Sequence, residues 1–174
     1  MKRLWVILVF LGLCNALSFA VKPGYKFIIN HGQFHENVLF KAEIPSGNIF
    51  AEKSALTYHL YDAQLLQDLH HSPEADSNPN QKMQHHAFKM QFVNASPATV
   101  EGKEKYKHWF NYYLGNNPNK WAKKVPAFGE VQWQSLYNGI DMRLYTSENQ
   151  LKYDFIVNPG SNPDKIKWKY SGLE

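Results

Sequence analysis

The chain has 174 residues, a formal net charge of +4 at pH 7 and a single cysteine. This length fits one ordinary domain. One cysteine excludes a disulfide framework, so a hydrophobic core must hold the fold. The densest basic run, Lys103, Lys105 and Lys107, alternates with Glu104 and Tyr106 and is typical of a solvated strand face. We therefore expect no nucleic-acid partner.

The first 20 residues have the layout of a secretory signal peptide. Lys2 and Arg3 form a positive start, and residues 4–13 form a continuous apolar run. That run is too short to cross a bilayer comfortably, which disfavours an uncleaved anchor. We predict cleavage after Ala20 and no membrane span in the mature chain. The only cysteine, Cys14, would be removed, and the protein would be secreted or held at the cell surface.

Residues 21–174 predict a single β-rich domain. Short apolar runs recur, with turn signals between them, as in antiparallel sheets. Residues 38–52 predict a hairpin around a Pro-Ser-Gly turn, and residues 56–61 a further strand. Residues 63–70 predict one or two helical turns. Residues 72–82, which contain two prolines and two asparagines, predict a surface loop.

The middle of the chain combines strand patterns with many aromatic residues. Residues 86–93 place Phe88 and other apolar side chains at alternate positions, which predicts a strand. Residues 98–102 predict a short strand, and residues 106–114 an aromatic-rich segment. A turn follows, with Pro118 at the start of a short helix that reaches Lys123.

The last third has the clearest alternation, in runs at residues 128–133, 136–145, 151–160 and 165–170. In the last run the lysines should face water, and the Ile, Trp and Tyr side chains the core. About ten strands in all predict an all-β fold, an antiparallel β-sandwich or an open barrel-like sheet. We also expect that the chain is the front of a longer protein and that its last strand lacks its natural partner.

Several short motifs of the chain resemble the motifs of one protein family. They are Asn30-His31-Gly32-Gln33-Phe34 with residues 36–40, residues 111–116 with Pro118, Lys120 and Trp121, and then residues 129–131, 137–142 and 153–160. In this order they resemble an uncharacterised N-terminal module of large surface proteins from Bacteroidota-type bacteria, over about residues 27–174. In that family the module precedes immunoglobulin-like or propeller-type (SBBP) repeats, and often gliding-motility-associated or type IX secretion sorting domains. The resemblance implies a secreted or surface-attached protein without an established enzymatic activity.

Eight histidines raise the question of a metal site. His31 and His35 would share one face of a helix, but their segment predicts a turn. Four others, at positions 70, 71, 85 and 86, bracket the predicted loop and offer ligands for Zn²⁺ or Cu²⁺. Neither a cysteine nor a Glu-x-x-His pattern accompanies them. We interpret them as polar loop residues and predict no metal and no cofactor.

Paired carboxylates are the machinery of glycoside hydrolysis. Glu130, Asp141 and Asp154 are the candidates, and each lies in or beside a predicted strand between apolar neighbours. That setting favours cross-strand pairing over catalysis. We therefore predict no catalytic residues.

Aromatic residues make up 15% of the chain, and exposed aromatic rings on a β face can stack on sugar rings. The candidate ligand contacts are Trp109, Tyr112, Tyr113, Trp121 and Trp133. The competing interpretation is that these side chains fill the core, since aromatic residues favour strands. Tyr112 and Tyr113 cannot both point inward from one regular strand, so one of them should be exposed, and Tyr113 leads the candidate contacts.

The leading functional hypothesis is a non-catalytic module of an exported surface protein, acting in adhesion, gliding or surface assembly. Its partners would be other surface proteins or glycans. The alternative is a carbohydrate-binding module, and a glycoside hydrolase is less favoured.

Overall fold

The computed structural model describes residues 24–71 and 82–173. The predicted signal peptide lies outside the described residues, as does nearly all of the predicted loop at 72–82.

The described residues form ten strands and one α-helix. The strands are β1 (Phe27–Ile29), β2 (Phe40–Ile44), β3 (Gly47–Ala51), β4 (Ala55–Tyr61), β5 (His85–Phe92), β6 (Thr99–Tyr112), β7 (Ala122–Tyr137), β8 (Ile140–Ser147), β9 (Gln150–Val157) and β10 (Trp168–Ser171), and the helix is α1 (Ala63–His71). Single 3₁₀ turns span Pro118–Lys120 and Pro163–Lys165. Every strand pair is antiparallel. The predicted all-β, antiparallel fold of about ten strands is confirmed.

The long strand β7 organises the sheet. The strand order is β10-β5-β4-β3-β2-β1-β7-β8-β9, and β6 pairs with β7. Phe128 pairs with both Phe27 of β1 and Lys105 of β6, whereas Glu130 pairs with both Lys103 of β6 and Tyr145 of β8. Strands β1 and β8 therefore share the edge of β7 opposite β6. The sheet divides there and curls into a half-barrel.

Tight turns join several neighbouring strands. Ile44 pairs with Gly47 across a two-residue turn, as the predicted 38–52 hairpin requires. The turn between β8 and β9 places Glu148 and Asn149 at φ angles of 52° and 60°. This backbone matches the right-handed twist of a hairpin, and Asn is one of the few residues that tolerate it. Pro118 starts its helical turn as predicted, but that turn ends at Lys120 rather than Lys123.

The core fills the hollow of the half-barrel. Its largest fully buried side chains include Trp133, Phe27, Phe40, Leu56 and Met90. Burial of each such side chain contributes about 1.5–3 kcal/mol to the stability of the folded state. A second, smaller apolar cluster lies on the other face of β1, β7 and β6. It consists of Ile28, Ala122, Val125 and Ala127, with Phe34, Tyr106, Phe110 and Tyr112 packed against them.

Two expectations about strands need correction. Residues 98–102 and 106–112 belong to one continuous strand, because Glu104 adopts a φ of 55° and a bulge after Lys105 keeps β6 aligned with β7. In the last run, the strand begins only at Trp168. Trp168 and Tyr170 remain 38% and 48% exposed, since β10 ends the sheet and has β5 on one side only.

Candidate functional site

The C-terminal half of β6 has one packed face and one exposed face. Tyr106, Phe110 and Tyr112 pack against the second apolar cluster. The alternate residues from Lys105 to Tyr113, which are Lys105, Lys107, Trp109, Asn111 and Tyr113, are all exposed. Trp109 is 57% and Tyr113 56% exposed, high values for side chains of this size and type.

The turn after β6 brings a third ring to this face. The Trp121 indole N–H donates to the carbonyl of Gly115 at 3.0 Å. Its ring meets that of Tyr113 edge to face, with centroids 5.3 Å apart and planes at 85°. We call Trp109, Tyr113 and Trp121 the aromatic row.

Polar side chains fix the geometry of the same turn. The Asn117 carboxamide oxygen accepts from the N–H of Asn119 at 3.0 Å and so caps the 3₁₀ turn. The Asn111 carboxamide oxygen accepts from the N–H of Lys124 at 2.9 Å, across the hairpin. These are residues of the motif at 111–121, so the motif encodes a defined turn that carries the aromatic row.

The aromatic row can bind an extended ligand. Trp109 lies in β6 and Tyr113 directly follows the last residue of that strand. Four residues of extended chain span about 13 Å at roughly 3.3 Å per residue. Ring faces of this kind stack on flat apolar surfaces, while the neighbouring Asn111 carboxamide offers hydrogen bonds. The spacing suits a ligand that runs along the strand better than one small molecule.

The other two aromatic candidates face away from solvent to different degrees. Tyr112 packs edge to face on Phe34 at 5.5 Å, and burial, followed by the nearby Glu43 carboxylate, raises its pKa. Trp133 is fully buried, and its indole N–H donates to the carbonyl of Glu52 at 2.9 Å. For Trp133 the core interpretation is therefore correct, and its place among the ligand contacts is withdrawn.

The three candidate carboxylates lie on the strands β7 to β9. One Asp154 oxygen accepts from Arg143 at 2.7 and 3.1 Å and from the Tyr145 hydroxyl at 3.0 Å. Glu130 lies 3.9 Å from the same guanidinium. Asp141 accepts from the backbone N–H of Ser135 at 2.7 Å. Each carboxylate thus has a structural partner, as the cross-strand interpretation predicts.

The pKa values of two of these carboxylates are shifted in opposite directions. Hydrogen bonds from Arg143 and then Tyr145 lower the pKa of Asp154. Burial raises the pKa of Glu130, and the Arg143 guanidinium opposes that rise.

The described histidines occupy several different parts of the sheet and its loops. His31 and His35 belong to a loop organised by Asn30, whose carboxamide oxygen accepts from the N–H groups of Gly32 and Phe34 at 2.9 and 3.1 Å. A cross-strand contact that the sequence analysis missed brings His59 Nε2 within 3.3 Å of His85 Nδ1. The side chains of residues 70 and 71 lie outside the described part of the chain. Among the described residues, no three metal-ligating side chains come together.

A second aromatic group escaped the sequence analysis because it joins strands far apart in the chain. Tyr58 stacks on Phe88 at 4.7 Å, and Phe155 stacks on Trp168 at 6.1 Å. Burial, followed by the neighbouring Tyr153 and Tyr170, raises the pKa of Tyr58 to about 12. The group continues the core toward the sheet ends β9 and β10.

Comparison with known proteins gives one match. A family model described as a domain of unknown function, DUF7948, matches residues 27–174. Neither a curated protein nor a solved structure matches the chain. In the described ranges, the helices are too short or too polar to cross a membrane.

Proposed function

We propose that this chain, which belongs to the DUF7948 family, is a non-catalytic binding module of an exported surface protein. It acts in adhesion, gliding or surface assembly. The observation that carries the proposal is the aromatic row, in which Trp109 of β6 and Tyr113 just after it are each more than half exposed. The signal-peptide layout of residues 1–20 supports export. The resemblance to modules of Bacteroidota-type surface proteins supports a type IX secretion setting.

Carbohydrate is the ligand class that fits the aromatic row best. A sugar ring has an apolar face that stacks on an aromatic ring, and hydroxyl groups at its edge that bond to polar side chains. A hydrogen bond to Gly115 and the contact between the two rings hold Trp121 and Tyr113 in place, so this part of the row exists before the ligand arrives. A preorganised surface of this kind loses less conformational entropy on binding.

Affinity electrophoresis tests the proposal. The purified chain should be retarded by at least one polysaccharide in a panel of neutral and acidic polymers, and Trp109→Ala and Tyr113→Ala should each abolish the retardation. Truncation of a side chain that carries binding energy costs more than about 1 kcal/mol, which suffices to end weak binding. Tyr170→Ala, which removes a comparably exposed ring from the other end of the sheet, is the matched control and should bind normally.

Two results would contradict the proposal. One is equal mobility of the chain with every polymer. The other is retention of binding in both row variants, which would place the ligand elsewhere. Because the module is proposed to be non-catalytic, we expect no release of reducing sugar from any polymer that binds.

A further inference from the structure

The hairpin that carries the aromatic row is also basic. Between Lys105 and Gly129 the sequence contains five lysines, at positions 105, 107, 120, 123 and 124, and neither aspartate nor glutamate. Lys105 and Lys107 are exposed residues of β6 like Trp109, and the exposed Tyr113 follows directly after the strand. The cationic and the stacking side chains therefore form one continuous strip along the strand.

In the part of the chain that the structure describes, ion pairs with carboxylates neutralise several lysines elsewhere but not those of this strip. Lys41, Lys89 and Lys103 form ion pairs with Glu43, Glu52 and Glu101 at 3.3, 2.9 and 2.9 Å. Within the described residues, the side chains of positions 105, 107, 123 and 124 form no such pair. Their charges repel one another and remain available to an anion.

We propose that the ligand of the aromatic row is a polyanionic glycan, one that carries carboxylate or sulfate groups along an extended chain. This inference rests on the proposed function and specifies its ligand. Sugar rings stack on Trp109 and Tyr113, and the acidic groups lie over Lys105 and Lys107. Each exposed ion pair contributes little, but several in register add up and remain sensitive to salt.

Single-stranded nucleic acid shares this combination of positive charge and stacking. All five lysines of the hairpin act as point charges, and residues 105–129 contain no arginine, the side chain that forms bidentate contacts with carboxylate and phosphate alike. The charges of the hairpin therefore attract an extended polyanion without fixing its chemistry. The proposed export of the chain favours an acidic polysaccharide over a nucleic acid.

The test compares three probes at low and high salt: polygalacturonate, a neutral glucan of similar length and a single-stranded oligonucleotide. We expect polygalacturonate to bind most tightly, and we expect high salt to weaken this binding. The double variant Lys105→Gln/Lys107→Gln should bind it about tenfold more weakly, because two charge contacts are lost. The control variant Lys152→Gln/Lys169→Gln removes two positive charges outside the hairpin and should leave the affinity for polygalacturonate unchanged.

The outcomes separate the two proposals. Equal binding of neutral and acidic polymers, still abolished by Trp109→Ala, would overturn the polyanion inference and leave the proposed function standing. A preference for the oligonucleotide would also overturn the inference. If none of the polymers binds, both proposals fail. Circular dichroism spectra that match those of the unsubstituted chain would establish that the variants are folded.

Discussion

At the scale of single residues, the contribution of a tryptophan side chain to stability depends on whether it is buried or exposed. Trp133 is fully buried and donates to the Glu52 carbonyl, whereas Trp109 is 57% exposed. Trp133→Phe should lower the free energy of unfolding by about 2–4 kcal/mol, because it opens a cavity and leaves a carbonyl without its donor. Trp109→Phe should change it by less than about 0.5 kcal/mol. Urea denaturation measures both, and equal losses would contradict the assignment of Trp133 to the core.

The carboxylates give a second prediction at this scale. Hydrogen bonds lower the pKa of Asp154, so the folded state binds its proton less readily than the unfolded state, where the pKa is about 3.9. Asp154 therefore contributes stability above that pH, and the contribution disappears as the pH falls through the folded pKa. The stability difference between the chain and Asp154→Asn should shrink in acid.

Glu130 is the matched control, because burial raises its pKa. Its neutral form is favoured in the fold, so the penalty for its charge grows as the pH rises through the folded pKa. Glu130→Gln should gain stability relative to the chain toward neutral pH. Unfolding by urea across a pH series follows both variants, and trends of the same sign would refute this account.

At the scale of elements, local patterns were readable from the sequence and long-range pairings were not. The 38–52 hairpin and the tight turns follow from residues within a few positions of one another. The exposure of Tyr113 beside a half-buried Tyr112 follows from the period of a strand. By contrast, the stacking of Phe155 on Trp168 depends on how the sheet curls. The lack of an ion pair at Lys105 and Lys107 among the described residues depends on which carboxylates other strands bring near.

The whole molecule depends on β7, which joins β6 to both β1 and β8. At one crossing, the Phe128 ring lies over Gly102 of β6 and meets Phe40 of β2 edge to face at 5.9 Å. A Cβ added at Gly102 would lie 2.3 Å from the Phe128 ring. Such an atom would push the ring away from Phe40 and so disturb the contact between β6 and the main core.

Gly102→Ala should therefore destabilise the fold by about 1–3 kcal/mol, the usual cost of an overpacked core. Gly129→Ala is the matched control, since its added Cβ would meet the mobile end of the Glu104 side chain at 2.7 Å. Phe128→Leu should partly relieve Gly102→Ala, so the double variant should be more stable than the sum of the single changes predicts, by about 0.5–3 kcal/mol. Strict additivity in urea denaturation would mean that the two residues do not share this contact.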